Sequence, residues 1–196
     1  MPKIAAELFE KGMIKIGKFR LTSGLESPFY IDLRMLYSYP ELVRIIIDEI
    51  VHRYNISKYD CIVGIATAGI ALASFLACRL NKPMSYVRIE RKEHGTRGLL
   101  EGEVFNKTCI IVDDVATTGG SIEHAYNTVK EEGGKPLAAL VIVDREQGAK
   151  QKVEKLGLEF YRLYTAQELF NELYENGIIS YNDLKNIIDY LKSFQK

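Results

Sequence analysis

The stretch TCIIVDDVATTGGS, residues 108–121, has the residue types and order of an anion-binding loop. An apolar run, Cys109 to Val112, reads as a strand that ends in two adjacent carboxylates, Asp113 and Asp114. Val115 and Ala116 lead into a turn of Thr117, Thr118, Gly119 and Gly120, and a helix is expected to open near Ser121. Free N–H groups at a helix start, two threonine hydroxyls and small glycines let backbone approach a phosphate closely. The lysine of a G-K-[ST] nucleotide loop is missing, and the spacing is not the dinucleotide G-x-G-x-x-G. Carboxylates beside a phosphate would repel it unless they accept hydrogen bonds from sugar hydroxyls or face a metal-bound ligand. A sugar phosphate meets both demands, with its phosphate on the loop amides and its ribose diol on Asp113 and Asp114. A solvated turn with a helix cap would need only one aspartate.

A second candidate is ERKEHGTRGLLEG, residues 90–102, charged and punctuated by glycine between two strands. Together with Arg88 just before it, Lys92 and His94 place three cationic or donor groups within seven residues. That suits a diphosphate, and a mobile lid of this kind can exclude water from an intermediate that hydrolyses easily. A solvated surface loop has the same composition. His52, near the end of a predicted helix, and His124, one turn into the helix after the phosphate loop, read as structural.

These loops need elements to hold them. Residues 3–11 read as a short helix stopped by Gly12, and MIKIGKFRL as two β-like pieces about Gly17. The stretch TSGLESPFYIDLR is rich in turn formers, and Pro40 opens a helix through Tyr54. Four apolar runs of strand length follow, at 61–65, 84–89, 109–112 and 137–143. Three are continuously apolar, as strands covered on both faces should be. Helical segments follow the first and third, and another is expected at 147–156. The alternation implies an α/β fold with a mostly parallel central sheet flanked by helices. GIATAG, DDVATTGGS and DREQG each follow a strand, so they should gather at the sheet's carboxyl edge, where open α/β sheets bind ligands. Thr165 and Ser180 each start a helical pattern, the second with Asp183 as a capping partner.

Composition narrows the classes. The chain has 196 residues, 26 basic and 26 acidic, for a formal net charge of zero. Hydrophobic residues at 47% and charged residues at 27% argue for one folded domain without long disordered tracts. Zero net charge weakens any case for nucleic-acid or membrane-surface binding. Cys61, Cys78 and Cys109 form no C-x-x-C pair and read as free buried thiols of a reducing, cytoplasmic compartment. Residues 61–78 are 18 uncharged residues, yet Gly64, Thr67 and Gly69 interrupt them and Arg79 follows at once. A strand, a tight loop and an apolar helix explain that run better than a membrane span. The N-terminus lacks a signal-peptide core.

VDDVATTGGS resembles the phosphoribosyl pyrophosphate (PRPP) signature of the type I phosphoribosyltransferases. FRLTSGLESPFYIDLR (19–34), RIERKEHG (88–95) and DREQGA (144–149) resemble, more specifically, the orotate phosphoribosyltransferase family, in the family's order. The resemblance implies transfer of a phosphoribosyl group from PRPP to orotate, with Mg²⁺ bound mainly through PRPP and no direct protein ligand to the metal. It implies that Arg88, Lys92 and His94 bind the diphosphate, with Lys92 catalytic. Residues 113–121 then hold the sugar phosphate, and Thr117 and Arg145 contact orotate. Orotate also wants a flat apolar wall, which Phe29 and Tyr30 could supply. The residues alone leave open a surface ion pair for Arg145 and plain core for Phe29. A homodimer is implied, in which loop 90–102 reaches the neighbouring site. The fold implied is a small N-terminal hood (1–40), an α/β core (41–160) and a C-terminal helical segment (161–196).

Three positions depart from the family pattern. Ile89, Ala68 and Thr22 stand where many members carry basic residues, which shifts more of the diphosphate charge onto Lys92, Arg88 and metal. A purine transferase and a PRPP-binding regulator without catalysis are the competing readings. A purine lacks the carboxylate that Arg145 suits, and a DNA-binding regulator would show a basic module that this neutral chain lacks.

Overall fold

The computed structural model describes residues 4–20, 26–89 and 98–194. A short helix α1 (Ile4–Glu10) leads into a hairpin of β1 (Ile14–Arg20) and β2 (Glu26–Ile31), which pair antiparallel. The strand β2 occupies what the sequence presents as turn-rich chain. Its burial alternates, with Ser27, Phe29 and Ile31 inward, so a period of two lies beneath the turn formers. Helix α2 (Pro40–Arg53) follows with proline in its first turn, then β3 (Cys61–Ile65) and α3 (Ala68–Leu80). The apolar run 61–78 is thus divided between a strand and a helix, and no helix of the described residues is long and apolar enough to cross a membrane.

The remaining strands are β4 (Met84–Val87), β5 (Leu100–Glu101), β6 (Thr108–Ala116), β7 (Lys135–Asp144) and β8 (Glu159–Thr165). Helix α4 (Gly120–Glu131) joins β6 to β7, and α5 (Ala149–Lys155) joins β7 to β8. The six-stranded sheet runs β5-β4-β3-β6-β7-β8, parallel except for the β4–β5 pair. Alternate residues point to opposite faces. Ile62, Ile110, Val112 and Leu140 join the core shared with α2 and α3, while Val63, Cys109, Ile111 and Val141 join the core shared with α4 and α5. Both faces are covered, which is why these strands read as unbroken apolar runs. Cys61 and Cys109 are buried free thiols in adjacent register, whereas Cys78 is exposed rather than buried as the sequence suggested. The edge strand β8, EFYRLYT, was not expected, because a strand with one neighbour and mixed polarity shows no such run.

Helices α6 (Ala166–Glu175) and α7 (Tyr181–Lys192) each begin with a capping box, Thr165 with Glu168 and Ser180 with Asp183. They pack with α1 and β2 into one core, with the Phe29 ring 4.9 Å from Phe170 and 5.9 Å from Tyr190. The two ends of the chain therefore build one cap, and the sheet itself extends past residue 160 to Thr165.

Candidate active site

The parallel order β3-β6-β7 brings three loops to the sheet's carboxyl edge, as topology predicts. They wall a cleft of about 880 Å³ with Tyr30, Thr67, Asp113, Asp114, Thr117 and Arg145 among its lining residues. A smaller cavity of about 190 Å³ is enclosed by Asp113 and the chain from Val115 to Ile122. Gly119 caps α4 with a left-handed φ of 78°, and a Cβ there would lie 3.2 Å from Ala149 Cα. Glycine is needed on both counts. The first turn of α4 thus presents its N–H groups to a cavity shaped by Thr117, Thr118 and Ser121.

Asp113 and Asp114 do not follow the strand but continue it. The β6–β7 ladder pairs Asp113 with Val141 and runs on to Ala116 with Asp144, so the backbone is fixed while the side chains reach the cleft. Asp113 Oδ1 accepts the Asp114 N–H at 2.9 Å, and Asp114 Oδ1 accepts the Val115 N–H at 2.8 Å. Burial pushes both carboxyls above their ordinary range, and the charge of Asp114 pushes Asp113 further. The first turn of α3 lies hard against this pair. A Cβ on Gly69 would stand 2.4 Å from the Val112 carbonyl oxygen and 3.1 Å from Asp113 Cα. Tyr37 pins the same turn by donating its hydroxyl to the Ala68 carbonyl at 3.0 Å.

Arg145 is buried, and its N–H donates to the Ala116 carbonyl at 2.9 Å, tying the β7 loop to the phosphate loop. Its guanidinium lies over the Phe29 ring, 4.9 Å from the centroid, and Nη2 reaches Ser27 Oγ at 3.4 Å. Phe29 itself is fully buried and does not line the cleft, unlike the wall expected of it. The reason is the strand period: adjacent residues of β2 face opposite sides, so Tyr30 faces the cleft and Phe29 supports Arg145 from behind.

A model of the phosphoribosyl transferase domain matches residues 34–158. The orotate phosphoribosyltransferase of Sulfolobus acidocaldarius is 46% identical over 184 residues, covering 94% of this chain and 93% of that one. That of Saccharolobus solfataricus is 47% identical over 187 residues, covering 95% of each. The chain belongs to the orotate phosphoribosyltransferase family. The crystal structure of orotate phosphoribosyltransferase from Aeropyrum pernix agrees, with a TM-score of 0.80 and 34% identity over 90% of this chain and 99% of that one. The activity is the transfer of a phosphoribosyl group from PRPP to orotate, giving orotidine 5′-phosphate and pyrophosphate in pyrimidine synthesis.

An orotate phosphoribosyltransferase needs its diphosphate contacts, and these are only partly in view. Arg88 stands just past β4, where its N–H donates to the Leu99 carbonyl at 2.8 Å and its Nε pairs with Glu101 Oε1 at 3.2 Å. Its neighbour Ile89 lines the cleft; Arg88 does not. Lys92, His94 and Thr22 lie outside the described residues. The end of the 90–102 loop belongs to the fold, since Leu100–Glu101 pairs with β4. His124 approaches the Arg88 carbonyl with Nε2 at 3.0 Å, a structural contact that joins α4 to the root of the loop. His52 sits exposed in the last turn of α2.

Several cleft residues escaped sequence reasoning. Arg34 donates Nε to Asp32 Oδ1 at 2.8 Å and Nη2 to the other carboxylate oxygen, and both residues line the cleft. That guanidinium holds the Asp32 carboxyl below its ordinary range. Arg20, Gln147 and Phe194 line it as well. Arg20 and Arg34 lie within the quoted family segment and were a findable signal, whereas Phe194 is brought in from the far end of the chain by α7.

Proposed function

We propose that the cleft holds PRPP with its 5′-phosphate in the cavity at Thr117–Ser121 and its ribose diol on Asp113 and Asp114, and that orotate lies against Arg145. The observation that carries this reading is a cleft lined by an acidic pair and a buried guanidinium, with a smaller cavity at the glycine loop that shares Asp113, Thr117, Thr118 and Ser121 with it. The three groups match a phosphate, a diol and an anionic, carbonyl-bearing base.

Reaction is a displacement at the anomeric carbon. The bond from C1′ to the base nitrogen forms as the C1′–oxygen bond to pyrophosphate breaks, and the proton of that nitrogen is lost to solvent. No protein nucleophile takes part. The loop amides and the acidic pair fix the sugar so that the base nitrogen approaches one face. Lys92, Arg88 and His94 stabilise the departing diphosphate, and closure of their loop excludes water from the oxocarbenium-like centre. Among the described residues no group of three or more His, Cys, Asp or Glu could hold a metal ion. Mg²⁺ would be held mainly through the oxygens of the diphosphate and ribose diol, the hard donors it favours. Bound there, Mg²⁺ supplies neutralisation of the diphosphate charge.

The working form is a homodimer of the cytoplasm, free of nucleic acid and membrane, in which the 90–102 loop serves the partner's site. Mixing the inactive Lys92→Ala and Arg145→Ala proteins should then restore activity, whereas a loop acting within its own subunit would give none. For the chemistry, PRPP and Mg²⁺ are mixed with orotate and with purine bases, and ultraviolet absorbance is followed. Turnover of a purine alone would overturn the assignment.

A further inference from the structure

Glu146 takes a left-handed φ of 58°, held by its N–H on Asp144 Oδ1 at 2.9 Å and its own carboxylate on the Gln167 N–H at 2.8 Å. This turn sends both of its neighbours, Arg145 and Gln147, to the cleft wall. Arg145 is 6% exposed and Gln147 is 8% exposed. Among the described residues, Arg145 Nε and Gln147 Oε1 are the buried side-chain nitrogen and oxygen atoms without a hydrogen-bond partner.

Buried polar atoms are rarely left unpaired, because the lost hydration is not recovered. Nothing loose explains these two. Gln147 Nε2 donates to the Tyr190 hydroxyl at 2.8 Å, and the Tyr190 ring lies 5.9 Å from Phe29 and 5.1 Å from Phe194. Phe29 in turn carries the Arg145 guanidinium. Both side chains are therefore held in place, leaving one unpartnered donor and one unpartnered acceptor on two cleft-lining residues, two positions apart. The complementary edge is a ring carbonyl beside a ring N–H, the imide edge of a dioxopyrimidine.

We propose that Gln147 is a specificity residue whose Oε1 accepts the imide N–H of orotate while Arg145 Nε donates to the adjoining carbonyl. The inference rests on the base lying against Arg145. It also gives the C-terminal helix α7 a part in choosing the base, because Tyr190 sets the orientation of the Gln147 amide.

The test compares orotate with 3-deazaorotate, in which a C–H replaces the imide N–H. Competition binding in the presence of pyrophosphate and Mg²⁺, where no phosphoribosyl group is available for transfer, makes the comparison independent of turnover and of ring nucleophilicity. The wild-type protein should bind the analogue about 10- to 100-fold more weakly than orotate, the scale of one unpaired buried acceptor. Gln147→Met should weaken orotate by a similar factor, leave the analogue and PRPP nearly unchanged, and so erase the discrimination. Gln147→Glu, which retains an acceptor at the same place, should keep it. Equal discrimination by wild-type and Gln147→Met proteins, or its loss in Gln147→Glu, would overturn the role of Gln147. Failure of the wild-type protein to bind orotate at all would instead sink the base site itself.

Discussion

Arg145 and Phe29 form a cation–π pair across two segments: the guanidinium carbon of Arg145, just past β7, lies 4.9 Å from the ring centroid of Phe29 in β2. The pairing joins the sheet to the cap made by the two ends of the chain. A buried cation is costly unless something holds it, and here an aromatic face does so for a residue that also lines the cleft.

Phe29→Leu removes that face without emptying the core. Stability should fall by roughly 1–1.5 kcal/mol, the scale of an apolar swap in a packed site. The KM for orotate should rise severalfold with that for PRPP unchanged. Thermal unfolding and steady-state kinetics measure both, and an unchanged orotate KM would deny Phe29 its supporting role.

Asp113 couples stability to pH. Its carboxyl is raised above the ordinary value of 3.8 first by burial and then by Asp114. Its native form therefore holds the proton more tightly than the unfolded chain does. Its contribution is fully present below about 3.9 and is lost as pH rises through the higher native value. Asp113→Asn should raise Tm at neutral pH, and the gain should disappear as pH falls below the unfolded carboxylate range. Equal Tm values at pH 7 would contradict this.

Asp114→Asn should act on the substrate. Losing a charged acceptor for the ribose diol should weaken PRPP binding about tenfold or more, with the orotate KM little changed. Calorimetric titration with PRPP reads the effect directly.

Gly69→Ala forces a methyl group against the Val112 carbonyl, which a Cβ would meet at 2.4 Å. The first turn of α3 must then lift from β6, at a cost of about 1–3 kcal/mol. Denaturant midpoints should fall accordingly, and PRPP affinity should drop with them because Thr67 and Ala68 line the cleft. A substitution that lowers stability while sparing PRPP would separate the loop from the site.

Lys92→Ala should lower kcat by two or more orders of magnitude, the scale of losing a key contact to transition-state charge. Circular dichroism should match the wild-type protein. Retained turnover would remove this lysine from the mechanism.

The elements legible from sequence were those whose local signal is self-sufficient. Continuous apolar runs marked β3, β6 and β7, proline marked the start of α2, and Ser180 with Asp183 marked the start of α7. The phosphate loop was legible too, because glycines, hydroxyls and carboxylates adjacent in the chain stay adjacent in space. β8 and β2 were missed, since an edge strand and a hairpin strand rich in turn formers lack an unbroken apolar run.

Sequence alone thus determined the alternation of strand and helix, the anion loop and the loops that meet at one sheet edge, all of which depend on residues near one another in the chain. Tertiary structure alone decided that Phe29 stands behind Arg145 and that Tyr190 orients Gln147 from 43 residues further along the chain. Those contacts join residues through strand facing and packing of distant segments, and neither is encoded in any local pattern.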